Sequence, residues 1–189
     1  HTGNASFVSM SDGSIIPVNT NTAAQASPLD FLRQYGHLFG IHDTNQQLRL
    51  IRTRKDDLGH VHTEFEQVHV GVRVFGGLLR THQNDRGAFV AASGEFFPIS
   101  PKIDTNPKLD RKGVERVVSE AFGRPAPSID HMELVIVDPG WYGDRPQGER
   151  LAYYVRVSDS NADDAEAFFV DAHSGRILDR WSLVETIRR

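Results

Sequence analysis

The chain holds nine His and no Cys in 189 residues, so thiolate nucleophiles, disulfides and Cys-ligated zinc are excluded. None of the His is followed directly by Glu. The His-Glu-x-x-His arrangement, which puts two zinc ligands and a general base on one helical face, is therefore absent. No Gly-x-Ser-x-Gly elbow occurs either, which leaves covalent hydrolysis without a recognisable nucleophile. The nearest approach to a metal constellation is His60, His62, Glu64 and Glu66, alternating along one strand face, with His69 joining only through a bulge. Strand neighbours two apart seldom converge on one ion without ligands from elsewhere, so this run reads as a solvated polar face. Asp163, Asp164 and Glu166 read as solvated carboxylates at a loop tip. Gly71 to Gly77 lacks the Lys-Ser or Lys-Thr ending of a phosphate loop and reads as backbone geometry among strands. Asn4-Ala5-Ser6 matches a glycosylation acceptor, which matters only in a eukaryotic secretory route. No residue is assigned to catalysis, to a cofactor or to a metal.

The elements around these residues are legible from periodicity. Phe7 to Val18 predicts a hairpin about Ser11-Asp12-Gly13-Ser14, and Asn19 to Ala26 a polar linker. Ser27-Pro28-Leu29-Asp30 starts a helix, with Ser27 as N-cap and Pro28 in its first position; Leu29, Leu32, Tyr35 and Phe39 give it an apolar face and Gly40 ends it. From Leu48 to Pro98 the pattern turns to strands. Val61, Thr63 and Phe65 alternate with His62, Glu64 and Glu66, and Asp57-Leu58-Gly59, Gly76-Gly77 and Asn84 to Gly87 supply turns or bulges. Pro98 to Pro107 reads as a linker. Asp110 then caps a second helix with Val114, Val117, Val118, Ala121 and Phe122 at helical spacing and Gly123 as its stop. Strands follow over Met132–Val137, Leu151–Val157 and Ala167–Val170, the last turning at His173-Ser174-Gly175 into 176–181. The fold class is α+β: two small units, each a helix on an antiparallel sheet. The boundaries read 1–26 for an N-terminal segment, 27–104 and 105–181 for the units, and 182–189 for a C-terminal tail.

A hydrophobic fraction of 39% supports a buried core. The formal net charge of -4 offers no basic stripe for phosphate neutralisation, so nucleic acid is not an expected partner. No apolar run approaches the roughly 18 residues of a membrane span, and no membrane partner is expected.

Three runs are more specific than composition: Tyr35-Gly36-His37-Leu38-Phe39-Gly40-Ile41; Asp57-Leu58-Gly59 leading to His62, Phe65 and Gln67; and Gly71-Val72-Arg73-Val74-Phe75-Gly76-Gly77. Together they resemble the fungalysin/thermolysin propeptide motif. Pro107 to Ala121, Leu134 to Val137, Leu151-Ala152-Tyr153 and Val170 to Gly175 resemble the PepSY-type module that usually follows it. The resemblance implies a cystatin-like first unit and a PepSY-like second one. It also implies a non-catalytic pro-region, acting as intramolecular chaperone and inhibitor of a thermolysin-like zinc metalloprotease. Zinc and calcium would sit in the partner catalytic domain, with none in this chain. The protein would be secreted, its signal peptide already absent. The alternative is a free-standing secreted inhibitor or peptide-binding module that uses an exposed strand edge.

Trp141 and Tyr142, in the long connection Asp138 to Gly148, either face the partner or fold back onto their own sheet, the latter being the more ordinary use of aromatic rings; partner contact is also expected at Ile187, Arg188 and Arg189, toward the processing site. The motif residues Tyr35, Gly36, Phe39, Gly40, His62, Phe65, Gln67, Gly71, Val74 and Gly76 are expected to be structural. Gly36 would let the sheet approach the helix, Tyr35 and Phe39 would fill core, and one of His62 and Gln67 would point inward and be hydrogen-bonded.

Overall fold

The computed structural model describes residues 3–19, 25–124, 127–142, 145–159 and 164–184. The chain divides into two compact units, His1–Ile99 and Ser100–Arg189. Each is a helix on an antiparallel sheet, the α+β class expected.

In the first unit, α1 (Pro28–Tyr35) starts at a capping box. The Asp30 N–H donates to Ser27 Oγ at 3.2 Å, while the Ser27 N–H donates to the Asp30 carboxylate at 2.9 Å. The α-helix stops sooner than Gly40. Residues Gly36–Phe39 tighten into a 3-10 turn, and Gly40 closes it at φ +86°. The close neighbour of buried Gly36 is not the sheet but Ile41, whose side chain lies 3.2 Å from where a Cβ would stand. A further short helix, α2 (Thr44–Gln47), follows, with Asp43 accepting from the N–H groups of Asn45 and Gln46.

The strands of this unit are β1 (Phe7–Ser9), β2 (Leu48–Lys55), β3 (Val61–His69), β4 (Val72–Gln83) and β5 (Phe89–Glu95). They pair antiparallel in the order β2-β3-β4-β5-β1. The hairpin expected over 7–18 does not form. Its turn is present, with the Gly13 N–H on the Met10 carbonyl, but the two arms pair with β5 instead of each other. Phe7 lies opposite Ser93, and the Ile16 N–H donates to the Phe89 carbonyl at 2.7 Å. A long strand already anchored in a sheet is a better template than an isolated two-arm ribbon, which is marginal in water.

Phe65, Leu79, Phe89 and Ala92 face one side of this sheet, and Phe31, Leu32, Phe39 and Ile41 cover them. The Phe31 and Phe89 rings stack at 4.8 Å. Tyr35 packs at the rim and donates its hydroxyl to the Pro17 carbonyl at 2.5 Å.

In the second unit, Asp110 caps α3 (Arg111–Phe122) by accepting from the Gly113 N–H at 2.8 Å, and Gly123 ends it at φ +69°. Strands β6 (Ser128–Val137), β7 (Arg150–Ser158), β8 (Ala165–Asp171) and β9 (Ile177–Ser182) pair in sequence order. Val114, Val118 and Phe122 pack on Val155, Val157, Phe168 and Val170.

The β3–β4 turn is strained. Val70 and Gly71 both adopt positive φ, +49° and +79°, as a two-residue turn of this type demands. Gly71 does so freely, whereas a β-branched residue in this region is an outlier. Val70 is also 74% exposed, so no packing offsets the strain. Val70→Asn is expected to raise unfolding stability by about 1 kcal/mol, read as a higher urea midpoint at unchanged slope.

Candidate functional site

The face of the first sheet opposite the core carries charge in rows across the strands. Arg52, Glu64 and Arg80 lie side by side on β2, β3 and β4. Arg52 donates to both carboxylate oxygens of Glu64 at 2.9 and 3.0 Å, and Arg80 donates to Oε1 at 3.1 Å. Glu64 is only 3% exposed, which corrects the reading of this run as a solvated face: the two guanidinium groups cover it. Arg52 foremost, with Arg80, holds the Glu64 carboxyl below the usual carboxylate range against burial that pushes it up. Glu66 is bound in turn by Arg49 at 2.6 Å.

The adjacent row holds two imidazoles. His62 lies opposite His82, with Nδ1···Nδ1 at 2.7 Å. His62 Nε2 donates to the Asp56 carboxylate at 3.0 Å, and His82 Nε2 lies 3.3 Å from Ser93 Oγ. A contact between two Nδ1 atoms at this distance needs one N–H and one lone pair, so both rings cannot be imidazolium while it persists. Burial, then the neighbouring His62 and Arg80, lowers the His82 pKa. The hydrogen bond from His62 holds Asp56 below the usual carboxylate range. Among the described residues no group of three or more His, Cys, Asp or Glu is placed to hold a metal ion.

Gln67 is the inward member of the pair His62 and Gln67. It donates to the Phe97 carbonyl at 2.6 Å and accepts from the Phe97 N–H at 2.9 Å, so one buried amide satisfies both backbone groups of a residue beyond β5. Its side chain occupies the space over Gly77, where a Cβ would stand 2.6 Å from Gln67 Cβ. Phe65 and Val74 are buried, while Gly76 is exposed at φ +82°. His82, Arg52 and Arg80 were not singled out from the sequence. Counting back from His69 opposite Val72 places Leu79 across from His62. The irregularity between Glu66 and Val68 shifts the register by three residues and brings His82 there.

In the second unit the connection after β6 is organised by Asp138. This 3%-exposed carboxylate accepts from the N–H groups of Gly140, Gln147 and Gly148 at 2.7 to 2.9 Å. Gly140 is required there, because a Cβ would meet the Arg145 carbonyl oxygen at 2.0 Å. Trp141 is half-buried on a 3-10 turn over Pro139–Tyr142, its N–H on the Asp138 carbonyl. The Tyr142 side chain, Gly143, Asp144, Asp163 and the tail residues Ile187, Arg188 and Arg189 lie outside the described residues. Of the acidic patch, Asp164 keeps a 46%-exposed side chain in a surface pair with Arg124, whereas Glu166 is not at a loop tip but within β8, with Arg180 bound to both its oxygens at 2.6 and 2.8 Å.

The span from the end of α2 through β5 to Phe96 thus forms one unit of sheet, buried on one face by its own helix and charged on the other. Residues 46–96 match the fungalysin/thermolysin propeptide motif. The matched segment contains β2 to β5, and with them His62, Phe65, Gln67, Gly71, Val74 and Gly76. Tyr35 to Ile41 lies before it. Thermolysin from Alicyclobacillus acidocaldarius subsp. acidocaldarius is 29% identical over 152 residues, covering 74% of this chain and 26% of that protein. Thermostable neutral protease NprT from Geobacillus stearothermophilus is 29% identical over 154 residues, with the same coverage. The chain therefore spans about a quarter of the length of the curated relatives it matches. Among solved structures, the Bacillus megaterium YpeB C-terminal domain aligns at a TM-score of 0.44 and 16% identity, over 95% of this chain and 72% of that one.

Two outcomes follow for the propeptide-motif sheet. His82 takes a proton less readily folded than unfolded, where its pKa is 6.5. The unfolded chain therefore binds more protons as pH falls below that value, and unfolding free energy should decline in the same window. Urea titrations from pH 8 to 5 should show this decline, and His82→Phe should flatten it. Gln67→Leu, which strands the Phe97 N–H and carbonyl, should cost about 1 to 3 kcal/mol by the same method.

Proposed function

We propose that this chain is the pro-region of a secreted thermolysin-like zinc metalloprotease, assisting the folding of its catalytic domain and inhibiting it until processing. The observation that carries the reading is the propeptide motif over residues 46–96. The similarity to thermolysins over 152 residues, about a quarter of their length, supports it. The chain itself contributes no catalytic group; zinc and calcium belong to the partner domain, and neither nucleic acid nor membrane is a partner.

The work of such a module is binding. A partner held at about a hundred times its dissociation constant stabilises the bound state by roughly 2.7 kcal/mol, which matters for a slow-folding enzyme. Contacts with the catalytic domain are assigned to Trp141 and Tyr142 beside the Asp138-organised connection, and to Ile187, Arg188 and Arg189. The tail 185–189 would lead into the active-site cleft, where a newly cut carboxylate approaches the partner's zinc as a product does. A second reading, a free-standing secreted inhibitor or peptide-binding module, is favoured by one feature, the exposed run Arg49 to Lys55 on a strand that is at the sheet edge among the described residues. An in-frame His-Glu-x-x-His domain after Arg189 supports the first reading, and a stop codon there the second.

Refolding the catalytic domain with and without this chain should show higher recovery of peptide hydrolysis with it. Added to active enzyme, the chain should inhibit, and deletion of 185–189 should weaken inhibition without changing the melting curve of the chain. Failure both to aid recovery and to inhibit would remove the pro-region reading.

A further inference from the structure

β2 pairs with β3 on one side, and among the described residues no strand pairs with its other side. Every residue from Arg49 to Lys55 is exposed. An unpaired edge leaves backbone N–H and carbonyl groups ready to accept another strand. Leu50 and Ile51, 57% and 47% exposed, stand at the middle of this edge. They flank the register shift between Leu50 and Arg52.

The charges on β2 select what can pair there. Its sequence, Leu-Arg-Leu-Ile-Arg-Thr-Arg-Lys, holds four cations and no anion. Arg49 and Arg52 are offset by Glu66 and Glu64 on β3. Arg54 and Lys55 have no ion-pair partner among the described residues. A second copy of β2 brought edge to edge would set cation against cation, which is destabilising. An acidic strand meets no such penalty, and its carboxylates would find Arg54 and Lys55 at the strand's carboxyl end. The edge is thus guarded against self-association and open to one class of extended segment.

We infer that β2 receives an extended acidic segment of the catalytic domain as an added strand, held by backbone hydrogen bonds along Arg49–Lys55, apolar contact at Leu50 and Ile51, and ion pairs to Arg54 and Lys55. This rests on the pro-region reading and adds to it a second docking surface, on the propeptide-motif sheet. The Arg52–Glu64 pair positions the edge by fixing β2 against β3.

The test uses the full chain and its separately produced catalytic domain. In the complex, amide hydrogen exchange across 49–55 should slow by about tenfold or more relative to the free chain. Arg54→Glu with Lys55→Glu should weaken the complex about tenfold, chiefly by slowing association, and the difference from wild type should shrink as salt rises from about 50 to 500 mM. Lys112→Glu with Arg116→Glu, the same change in charge on α3, should leave affinity unchanged. A complex that forms without protection of 49–55 overturns the inference while leaving the pro-region reading intact. So does equal loss of affinity in the two double variants, or no loss in either. The exchange measurement needs no variant, so a misfolded double mutant cannot rescue the idea. Absence of any complex is a separate result that removes the pro-region reading and, with it, the occupant named here.

Discussion

The first unit depends on how one buried carboxylate is neutralised. Glu64 sits in the middle strand of a three-strand row with Arg52 on one side and Arg80 on the other. A lone carboxylate at 3% exposure would be strongly disfavoured, but this one is gripped from both sides. The arrangement holds only in one register. Displacing β2 by one residue would turn Arg52 to the opposite face and leave Glu64 with half its cover. Among the described residues β2 has a neighbour strand on one side alone, so its alignment is set partly by this ion pair, and its exposed residues inherit their positions from it.

The same face sets a proton count. His62 and His82 touch through Nδ1, and Asp56 and Ser93 occupy the outer nitrogens, so every ring nitrogen has a neighbour. The pair is consistent with the cations around it: Arg54 lies opposite His62, and Arg80 lies near His82. A further proton there would add charge to a face already carrying several guanidinium groups. Acid should therefore act on the motif sheet at its β3–β4 seam rather than on the apolar core, whose buried residues include no carboxylate or imidazole.

The two units assign their polar interior groups differently. In the first, Gln67 reaches across to satisfy both backbone groups of Phe97, and Gly77 yields the room for its side chain. In the second, Asp138 gathers three N–H groups of its own connection, and Asp171 accepts from the N–H groups of His173 and Ser174 at the β8–β9 turn. Both are carboxylates at strand ends that rigidify loops. Trp141, proposed as a contact residue, is carried on the connection that Asp138 organises, so its backbone placement follows from a buried carboxylate.

What sequence alone determined here is what neighbours in the chain decide. Ser27 and Asp110 cap their helices because their donors lie within three residues, Gly123 ends the second helix and Gly40 the 3-10 turn after the first because left-handed backbone favours glycine, and the turns at 57–59 and 84–87 close on nearby side chains. The alternation along β3 correctly divided an apolar from a polar face, and the two runs at 57–67 and 71–77 marked the motif. Tertiary structure decided everything that depends on register. Residues 7–18 paired with β5 because a distant strand offered a better template than the local turn. The shift between Glu66 and Val68 set Arg80 beside Glu64 and His82 beside His62, converting a polar face into a clamp and a proton-sharing pair. Hydrogen bonds between strands are non-local and an irregularity moves every partner beyond it at once, so no spacing within a single strand could reveal which residues would meet.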